Sequence, residues 1–236
     1  MPKFNLSIII PVFNESNNIQ KLTYKIIKQM SSVNFEIIFI DDNSFDNSQI
    51  ILKKFKKRFK FFRPIFRFKT RDLTKSCFEG INKSKYKNIL IMDGDLQHDP
   101  KYIPKMIKIY QKKSIDIVIG ARPLIKGPNS GLSETRRLAS KILIYLFSIF
   151  KIKTVDPMSG FFLFNKNIYS TNKKNFFGKG FKILADFLIN SKNELKTRDY
   201  YIKFKRRHSD KSKMNIKILL ILIQFYLSSL FKKKIK

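Results

Sequence analysis

The sequence predicts an α/β fold with a mostly parallel, Rossmann-like sheet flanked by helices. Two observations predict this class. Short apolar runs alternate along the chain with longer segments whose apolar residues recur at helical spacing. Three of the runs end in polar clusters, which are Asn14-Glu15, Asp41-Asp42 and Asp93-Gly94-Asp95. Because parallel strands end at one edge of a sheet, where ligands bind, we expect the clusters to meet there.

Each element follows from local spacing. Leu6–Val12 is a short apolar run ended by Asn-Glu-Ser, which predicts a buried strand, and residues 16–31 carry apolar side chains on one helical face. The first half continues with strand Phe35–Ile40, a basic helix over 46–60, strand Pro64–Phe68, a helix over 73–84 and strand Asn88–Met92. The second half gives a helix over 101–113, strand Ile115–Ile119, a loop over 121–135, a helix over 134–151, the apolar stretch Phe161–Phe164, a helix over 181–193 and strand Tyr200–Phe204.

The composition describes one domain with a strong positive charge. The 236 residues, 43% of them hydrophobic, suit a single core with a short appendage. The 49 Lys and Arg against 17 Asp and Glu give a net charge of +32, which attracts phosphates, nucleic acid or anionic lipid. An AT-rich genome is the alternative explanation of the Lys excess. Residues 53–75 and 196–236 concentrate the charge, and the second stretch is also the most apolar, which favours a membrane surface over nucleic acid.

The sequence also bears on location. It has no charge-free run of 18 apolar residues, so we expect no standard membrane-spanning helix. The first apolar run is too short for the core of a signal peptide. The single cysteine, Cys77, cannot form an internal disulfide, which fits a reducing cytoplasm.

A candidate site for Mg²⁺ or Mn²⁺ follows the fourth predicted strand. Such ions prefer oxygen ligands and bind through one or two carboxylates plus substrate phosphates. Asp93, Asp95 and Gln97 share one parity, so an extended chain would point them the same way. The alternative is that the polar clusters are helix caps and turn formers. The sequence has no Walker loop and no G-x-G-x-x-G, which argues against a P-loop kinase and a classical NAD enzyme.

Several motifs together resemble a known family. Three segments resemble family 2 glycosyltransferases of the GT-A fold: Ile8–Ser16, Ile40–Ser44 and Asp93–His98. Three more resemble the dolichol-phosphate (polyprenol-phosphate) mannosyltransferases within that family: Asp156–Phe162, Gly180–Leu184 and Phe204–Met214. The resemblance spans about residues 6–214, so we expect a catalytic domain over 1–214.

The resemblance implies an inverting transferase that moves a hexose from a nucleotide sugar to polyprenyl or dolichyl phosphate. The donor would be GDP-mannose or, as in close relatives, UDP-glucose, with Mg²⁺ or Mn²⁺ as cofactor. The residues assigned by position are a nucleoside pocket of Pro11, Phe13, Glu15 and Asp42, a metal and diphosphate site of Asp93, Asp95 and Gln97, and the phosphate-facing cations Arg122, Lys182, Arg207 and Lys213. Among them, Asp95, Arg122 and Arg207 would be catalytic. Two positions depart from the family pattern, because Asp72 and Asp210 stand where Gly is commoner.

Two other functions stay open at this point. Transfer to a sugar hydroxyl, as in polysaccharide assembly, would call for a carboxylate base, and Asp186 is the one candidate between Phe181 and Leu188. A phosphate nucleophile is already anionic and needs no strong base, which favours the lipid phosphate. A basic nucleic-acid-binding module would explain the charge but not three acidic clusters at strand ends.

The chain closes with a second predicted unit over 215–236. Ile218–Phe231 is 14 residues long, about 21 Å as a helix and short of the roughly 30 Å hydrocarbon core of a bilayer. Basic residues 232–234 follow it. We therefore expect a helix that lies on, or inserts shallowly into, an anionic membrane surface at its cytoplasmic face. A core helix packed on the domain and a short span are the alternatives, and a membrane partner subunit stays open.

Overall fold

The computed structural model describes residues 3–112, 114–122, 150, 152–203 and 216–234. Seven strands within them form one sheet in the order β3-β2-β1-β4-β6-β5-β7. The strands are β1 (Phe4–Val12), β2 (Val33–Asp41), β3 (Phe62–Phe66), β4 (Asn88–Ile91), β5 (Ile117–Ala121), β6 (Phe162–Asn165) and β7 (Thr197–Tyr201). The helices are α1 (Ser16–Gln29), α2 (Ser48–Arg58), α3 (Leu73–Lys83), α4 (Ile103–Tyr110), α5 (Lys166–Asn172), α6 (Ile183–Asn190) and α7 (Ile216–Lys234).

The predicted mostly parallel sheet is confirmed. Of the six strand pairs in the described chain, only those of β6 with β4 and with β5 are antiparallel. β1 lies between β2 and β4 and is buried almost throughout. Its side chains alternate between two cores, since Ile8 and Ile10 pack under α1, α2 and α4, whereas Ile9 packs under α3 and α6. This burial on both faces explains why the strand is a continuous apolar run.

Boundaries depart most from prediction where the strand lies at the edge of the sheet. β7 covers Thr197–Tyr201 rather than Tyr200–Phe204, because parallel pairing of Thr197 through Tyr201 with β5 defines the strand. Its residues are half-buried or exposed, so apolar spacing marks it poorly. The helix predicted over 181–193 begins only at Ile183, and the helix predicted over 101–113 is a 3₁₀ turn, Pro100–Tyr102, followed by α4. The predicted helix over 134–151 lies outside the described residues, apart from Phe150.

Helix α7 has two different faces. Phe225 and Ser229 are buried, Phe225 packs edge-on against Phe177 with ring centroids 5.6 Å apart, and Ser229 accepts a hydrogen bond from Asn190 at 3.2 Å. The opposite face exposes four large apolar side chains, Leu220 (59%), Ile223 (48%), Leu227 (48%) and Phe231 (66%). Across the described residues, no helix is both long and apolar enough to cross a membrane.

Candidate functional site

The polar clusters meet at one edge of the sheet, as predicted. β1, β2 and β4 are parallel and end there, whereas antiparallel β6 begins there. A residue with left-handed backbone lies in the first cluster, Asn14 (φ 55°), and directly after each of the other two, Asn43 (φ 63°) and Leu96 (φ 63°). This conformation is uncommon outside glycine and is least favourable for a bulky side chain such as that of Leu96. The chain therefore turns sharply after each of these strands and keeps its polar groups at the edge.

The turn after β4 carries the predicted metal ligands. β4 ends at Ile91, so strand alternation does not extend to Asp93, Asp95 and Gln97. Instead, Leu96 is buried in the core while these three flanking residues stay partly exposed. Oδ1 of Asp95 accepts the backbone N–H of Gln97 at 3.1 Å, which closes the turn. Burial of Leu96 therefore leaves the polar side chains of Asp93, Asp95 and Gln97 accessible at the sheet edge.

Gly160 and His98 lie close to Asp93. Gly160 lies so near that a Cβ atom added to it would stand 2.5 Å from Oδ2 of Asp93. Nδ1 of His98 is 3.5 Å from the same oxygen, and the His98 ring stacks on Phe161 with centroids 5.2 Å apart. Burial lowers the pKa of His98 to about 4, although Asp95 opposes this effect. The imidazole is therefore neutral near pH 7 and adds no positive charge beside Asp93.

The donor set fits a divalent cation that is bound jointly with a substrate. Asp93 and Asp95 supply carboxylates and Gln97 a neutral oxygen, which is the chemistry that Mg²⁺ and Mn²⁺ accept alongside phosphate oxygens. In the part of the chain that the structure describes, no three His, Cys, Asp or Glu side chains form a group that could hold a metal ion. A cation at this edge would therefore depend on further ligands from the substrate.

Arg122, at the end of β5, is held by Asp156. Its Nε and Nη2 atoms donate to the two carboxylate oxygens at 2.7 and 2.9 Å, and its backbone N–H donates to Oδ2 at 3.2 Å. Asp156 is buried, and its hydrogen bonds and charge raise the pKa of Arg122 further. The bidentate geometry fixes the plane of the guanidinium, while the Arg122 side chain remains 39% exposed. Arg122 is thus an oriented, permanent cation.

Lys182, which is distant in sequence from the acidic turn, lies near Arg122 and Asp93. It precedes α6, and its carbonyl accepts the N–H of Asp186 at 3.0 Å, which starts the helix. Burial lowers the pKa of the Lys182 ammonium and the charge of Arg122 lowers it further, whereas Asp93 and Asp156 raise it. The ammonium therefore lies within electrostatic range of both the acidic turn and the Arg122–Asp156 pair. Lys182 and Arg122 therefore share this part of the site with the carboxylates of Asp93 and Asp156.

The predicted nucleoside residues lie at the β1 side of the edge. Pro11 is buried in β1, beyond the last residue of β1 that pairs with β4, so its missing N–H breaks no ladder bond on that side. Phe13 is half-buried beneath Arg71, whose guanidinium carbon is 4.0 Å from the ring centroid. The ring of Phe45, 82% exposed, meets Phe13 edge-on at 5.6 Å. Glu15 precedes α1 and accepts a hydrogen bond from Asn18 at 2.6 Å.

Asp42 is more constrained than its neighbours. It is 4% exposed, Oδ1 pairs with Arg67, and Oδ2 accepts the backbone N–H of Asp72 at 2.7 Å. Burial raises the pKa of Asp42, and the Asp72 hydrogen bond and the Arg67 charge offset part of that rise. Arg67 also donates to Ser76 at 2.7 Å, which anchors the pair to α3. Asp42 therefore organises the 67–72 segment.

Asp186, the one carboxylate considered as a base, is engaged in holding a loop. It is 3% exposed and accepts the backbone N–H groups of Phe177 and Gly178 at 2.9 and 2.8 Å and the amide of Asn190 at 2.8 Å. Burial raises the pKa of Asp186, and these hydrogen bonds act against the rise. A buried carboxylate that accepts three hydrogen bonds from its own protein has a structural role, which here is to cap the 177–178 backbone.

The sequence matches a defined protein family. The profile described as Glycosyl transferase family 2 matches residues 7–172. The chain belongs to glycosyl transferase family 2. It is 33% identical over 190 residues to a dolichol-phosphate mannosyltransferase of Pyrococcus furiosus, covering 79% of this chain and 53% of that protein. It is 30% identical over 190 residues to that of Saccharomyces cerevisiae, covering 77% and 69%. The chain thus spans about half the length of the Pyrococcus relative.

Solved structures share the fold of this family 2 chain. Glucosyl-3-phosphoglycerate synthase from Mycobacterium tuberculosis, in complex with phosphoglyceric acid, matches with a TM-score of 0.73 at 15% identity, over 96% of this chain and 80% of that one. Its complex with Mn²⁺, UDP-glucose and phosphoglyceric acid matches with a TM-score of 0.69 at 13% identity, over 97% and 79%. At such identity the likeness establishes the fold alone, and it confirms the predicted GT-A class.

Some site residues of this family 2 chain were missed from sequence. Arg67 forms a buried pair with the predicted site residue Asp42, and the buried Asp156 pairs with the partly exposed Arg122. A signal existed for Arg67, because a cation near the carboxyl end of the predicted strand Pro64–Phe68 belongs at the same edge as the acidic clusters. Arg207 and Lys213 lie outside the described residues and stay predictions.

Proposed function

We propose that this chain transfers a hexose from a nucleotide sugar to a polyprenyl phosphate, with inversion at the anomeric carbon. The observation that carries the proposal is the grouping of the Asp93–Gln97 turn with Arg122 and Lys182 at one sheet edge in a family 2 chain. The relatives named dolichol-phosphate mannosyltransferases support dolichyl or polyprenyl phosphate as the acceptor. GDP-mannose is the proposed donor and UDP-glucose the second choice.

On the donor side, charge stabilisation is the main task. A Mg²⁺ or Mn²⁺ ion held by Asp93, Asp95 and Gln97 would offset the charge that develops on the departing diphosphate. Mn²⁺ and UDP-glucose in a structural neighbour support both a divalent cation and a nucleotide sugar. Arg122, with its plane fixed by Asp156, faces the diphosphate oxygens, and its hydrogen bonds to them become stronger as negative charge develops there. Lys182 binds the diphosphate in the ground state and the transition state alike. Pro11, Phe13, Glu15 and Asp42 contact the nucleoside.

On the acceptor side, the nucleophile is a phosphate oxygen. It attacks the anomeric carbon opposite the diphosphate, so the new C–O bond forms as the old one breaks and configuration inverts. No proton has to be removed, because the oxygen is already anionic. The engagement of Asp186 in capping the 177–178 backbone supports this over transfer to a sugar hydroxyl. Arg207 and Lys213 are proposed to bind phosphate as well.

The acceptor places the reaction at a membrane surface, and α7 supplies a contact. Its exposed stripe of Leu220, Ile223, Leu227 and Phe231 recurs at helical spacing, and basic residues 232–234 follow it. With a net charge of +32, we propose that this face docks on anionic lipid head groups at the cytoplasmic leaflet. The helix is peripheral or shallowly inserted.

A transfer assay tests the proposal. Liposomes or detergent micelles with polyprenyl phosphate are offered labelled GDP-mannose or UDP-glucose with Mg²⁺ or Mn²⁺, and with chelator as the control. We expect metal-dependent labelling of lipid, and a loss of about 100-fold or more in Asp95→Asn with an unchanged unfolding midpoint. Asp116→Asn, in the loop before β5, is the matched control. Labelling of a soluble sugar but not of lipid would favour a hydroxyl acceptor, and retained activity in Asp95→Asn would refute the metal role.

A further inference from the structure

Asp72 joins three segments that are far apart in the sequence. Its Oδ1 accepts the N–H of Lys75 at 3.0 Å, which caps α3. Its backbone N–H donates to Oδ2 of Asp42 at 2.7 Å. Its own Oδ2 accepts the N–H of Gly180 at 2.9 Å, a bond between residues 108 positions apart. A helix cap needs only the first of these bonds, so the second carboxylate oxygen serves another purpose.

The Gly180 peptide is held from both ends. Its N–H donates to Asp72, and its carbonyl accepts the N–H of Thr74 at 2.9 Å. Gly180 has φ +86°, a left-handed conformation that suits glycine and turns the chain toward α6. Lys182 follows two residues later and directly precedes that helix. Because few rotatable bonds separate them, fixing Gly180 fixes where the Lys182 side chain starts.

We propose that Asp72 is a positioning residue, which ties the Asp42 side of the site to Lys182 and thereby sets the place of the Lys182 ammonium. The inference rests on the proposed function, in which Asp42 contacts the nucleoside and Lys182 the diphosphate. Asp72 then sets the spacing between the two halves of one donor molecule. Neither Asp72 nor Gly180 has to touch the substrate.

Steady-state kinetics test the inference. Asp72→Ser retains a side chain that can cap α3 but has no second oxygen for Gly180. We expect its KM for the nucleotide sugar to rise about tenfold with kcat changed much less, since Lys182 binds substrate and transition state alike. In a Lys182→Ala background, the same substitution should leave KM unchanged, because the two residues act as one unit. Ile81→Val, in the core of α3, is the control for a purely structural loss of stability.

Hydrogen exchange gives an independent readout. The Gly180 amide should exchange faster in Asp72→Ser than in the wild type or in Ile81→Val. An unchanged KM in Asp72→Ser, or effects of Asp72→Ser and Lys182→Ala that multiply, would overturn the inference while leaving the proposed function intact. A folded wild type that transfers no sugar from either donor would instead overturn the proposed function, and this inference with it.

Discussion

Gly160 lies directly against the carboxylate of Asp93: a Cβ atom at this position would be 2.5 Å from Oδ2 and 2.7 Å from Oδ1. Gly160→Ala should therefore displace the Asp93 carboxylate rather than unfold the protein, since the short side chain can turn aside. We expect the affinity for Mn²⁺ in the presence of nucleoside diphosphate to fall about tenfold or more. Electron paramagnetic resonance, which detects the free Mn²⁺, measures this affinity. Gly80→Ala, which meets Ile9 in the core, should lower stability without changing Mn²⁺ affinity.

The Arg122–Asp156 pair should matter for both activity and folding. Asp156→Asn offers the guanidinium one acceptor oxygen in place of two. We expect kcat/KM for the nucleotide sugar to fall about tenfold, and the free energy of unfolding to drop by about 1–2 kcal/mol, less than for a fully buried pair because Arg122 is partly exposed. Denaturant titration and the transfer assay measure the two effects. Glu194→Gln, which breaks the exposed pair with Lys153, should change neither.

The two faces of α7 should respond differently to substitution. Leu220→Ser with Leu227→Ser removes exposed apolar surface, so we expect weaker sedimentation with anionic liposomes and an unchanged unfolding midpoint. Phe225→Ala empties a buried site, so the free energy of unfolding should fall by about 3 kcal/mol while the folded protein still binds liposomes. Equal liposome binding by the double variant and the wild type would show that another surface is the anchor.

Cys77 should be a reporter of unfolding. The thiol is fully buried beneath β2, and burial raises its pKa well above the usual 9.0, with Asp93 adding to the rise. Since the folded pKa lies above the unfolded one, this group favours the folded state below about pH 9 and loses that contribution as the pH rises further. We expect disulfide-exchange reagents at pH 8 to label native protein slowly and unfolded protein at once. Fast labelling of native protein would contradict this.

The central strands were predictable because their chemistry is local. The ends of β1, β2 and β4 are buried on both faces, so each strand is a mostly apolar run that stops at a polar turn. The antiparallel direction of β6 was not predictable, because its four residues carry no mark of orientation. Edge strand β7 was misplaced for the related reason that its partner, rather than its own hydrophobicity, defines it.

The site also contains residues that the sequence could predict and partners that it could not. The acidic clusters could be found because strand ends of a parallel sheet converge whatever their loops do. The partners of those residues depend on tertiary register: Arg67 meets Asp42 because β3 pairs with β2, and Asp156 meets Arg122 because residues before β6 return beside β5. The cap formed by Asp186 was equally hidden, since it requires the 177–178 backbone to fold back on α6.

Helix α7 also forms part of the wall behind the site. A Cβ atom on Gly180 would stand 2.7 Å from the Ile221 side chain, so the helix rests on the loop that leads to Lys182. Cutting the chain before 216 would thus expose that loop to water as well as remove the exposed apolar stripe of α7. Under the proposed function, a bilayer bound to the outer face of α7 would act, through Ile221, on the loop that leads to Lys182. Lipid packing would then change the rate of sugar transfer.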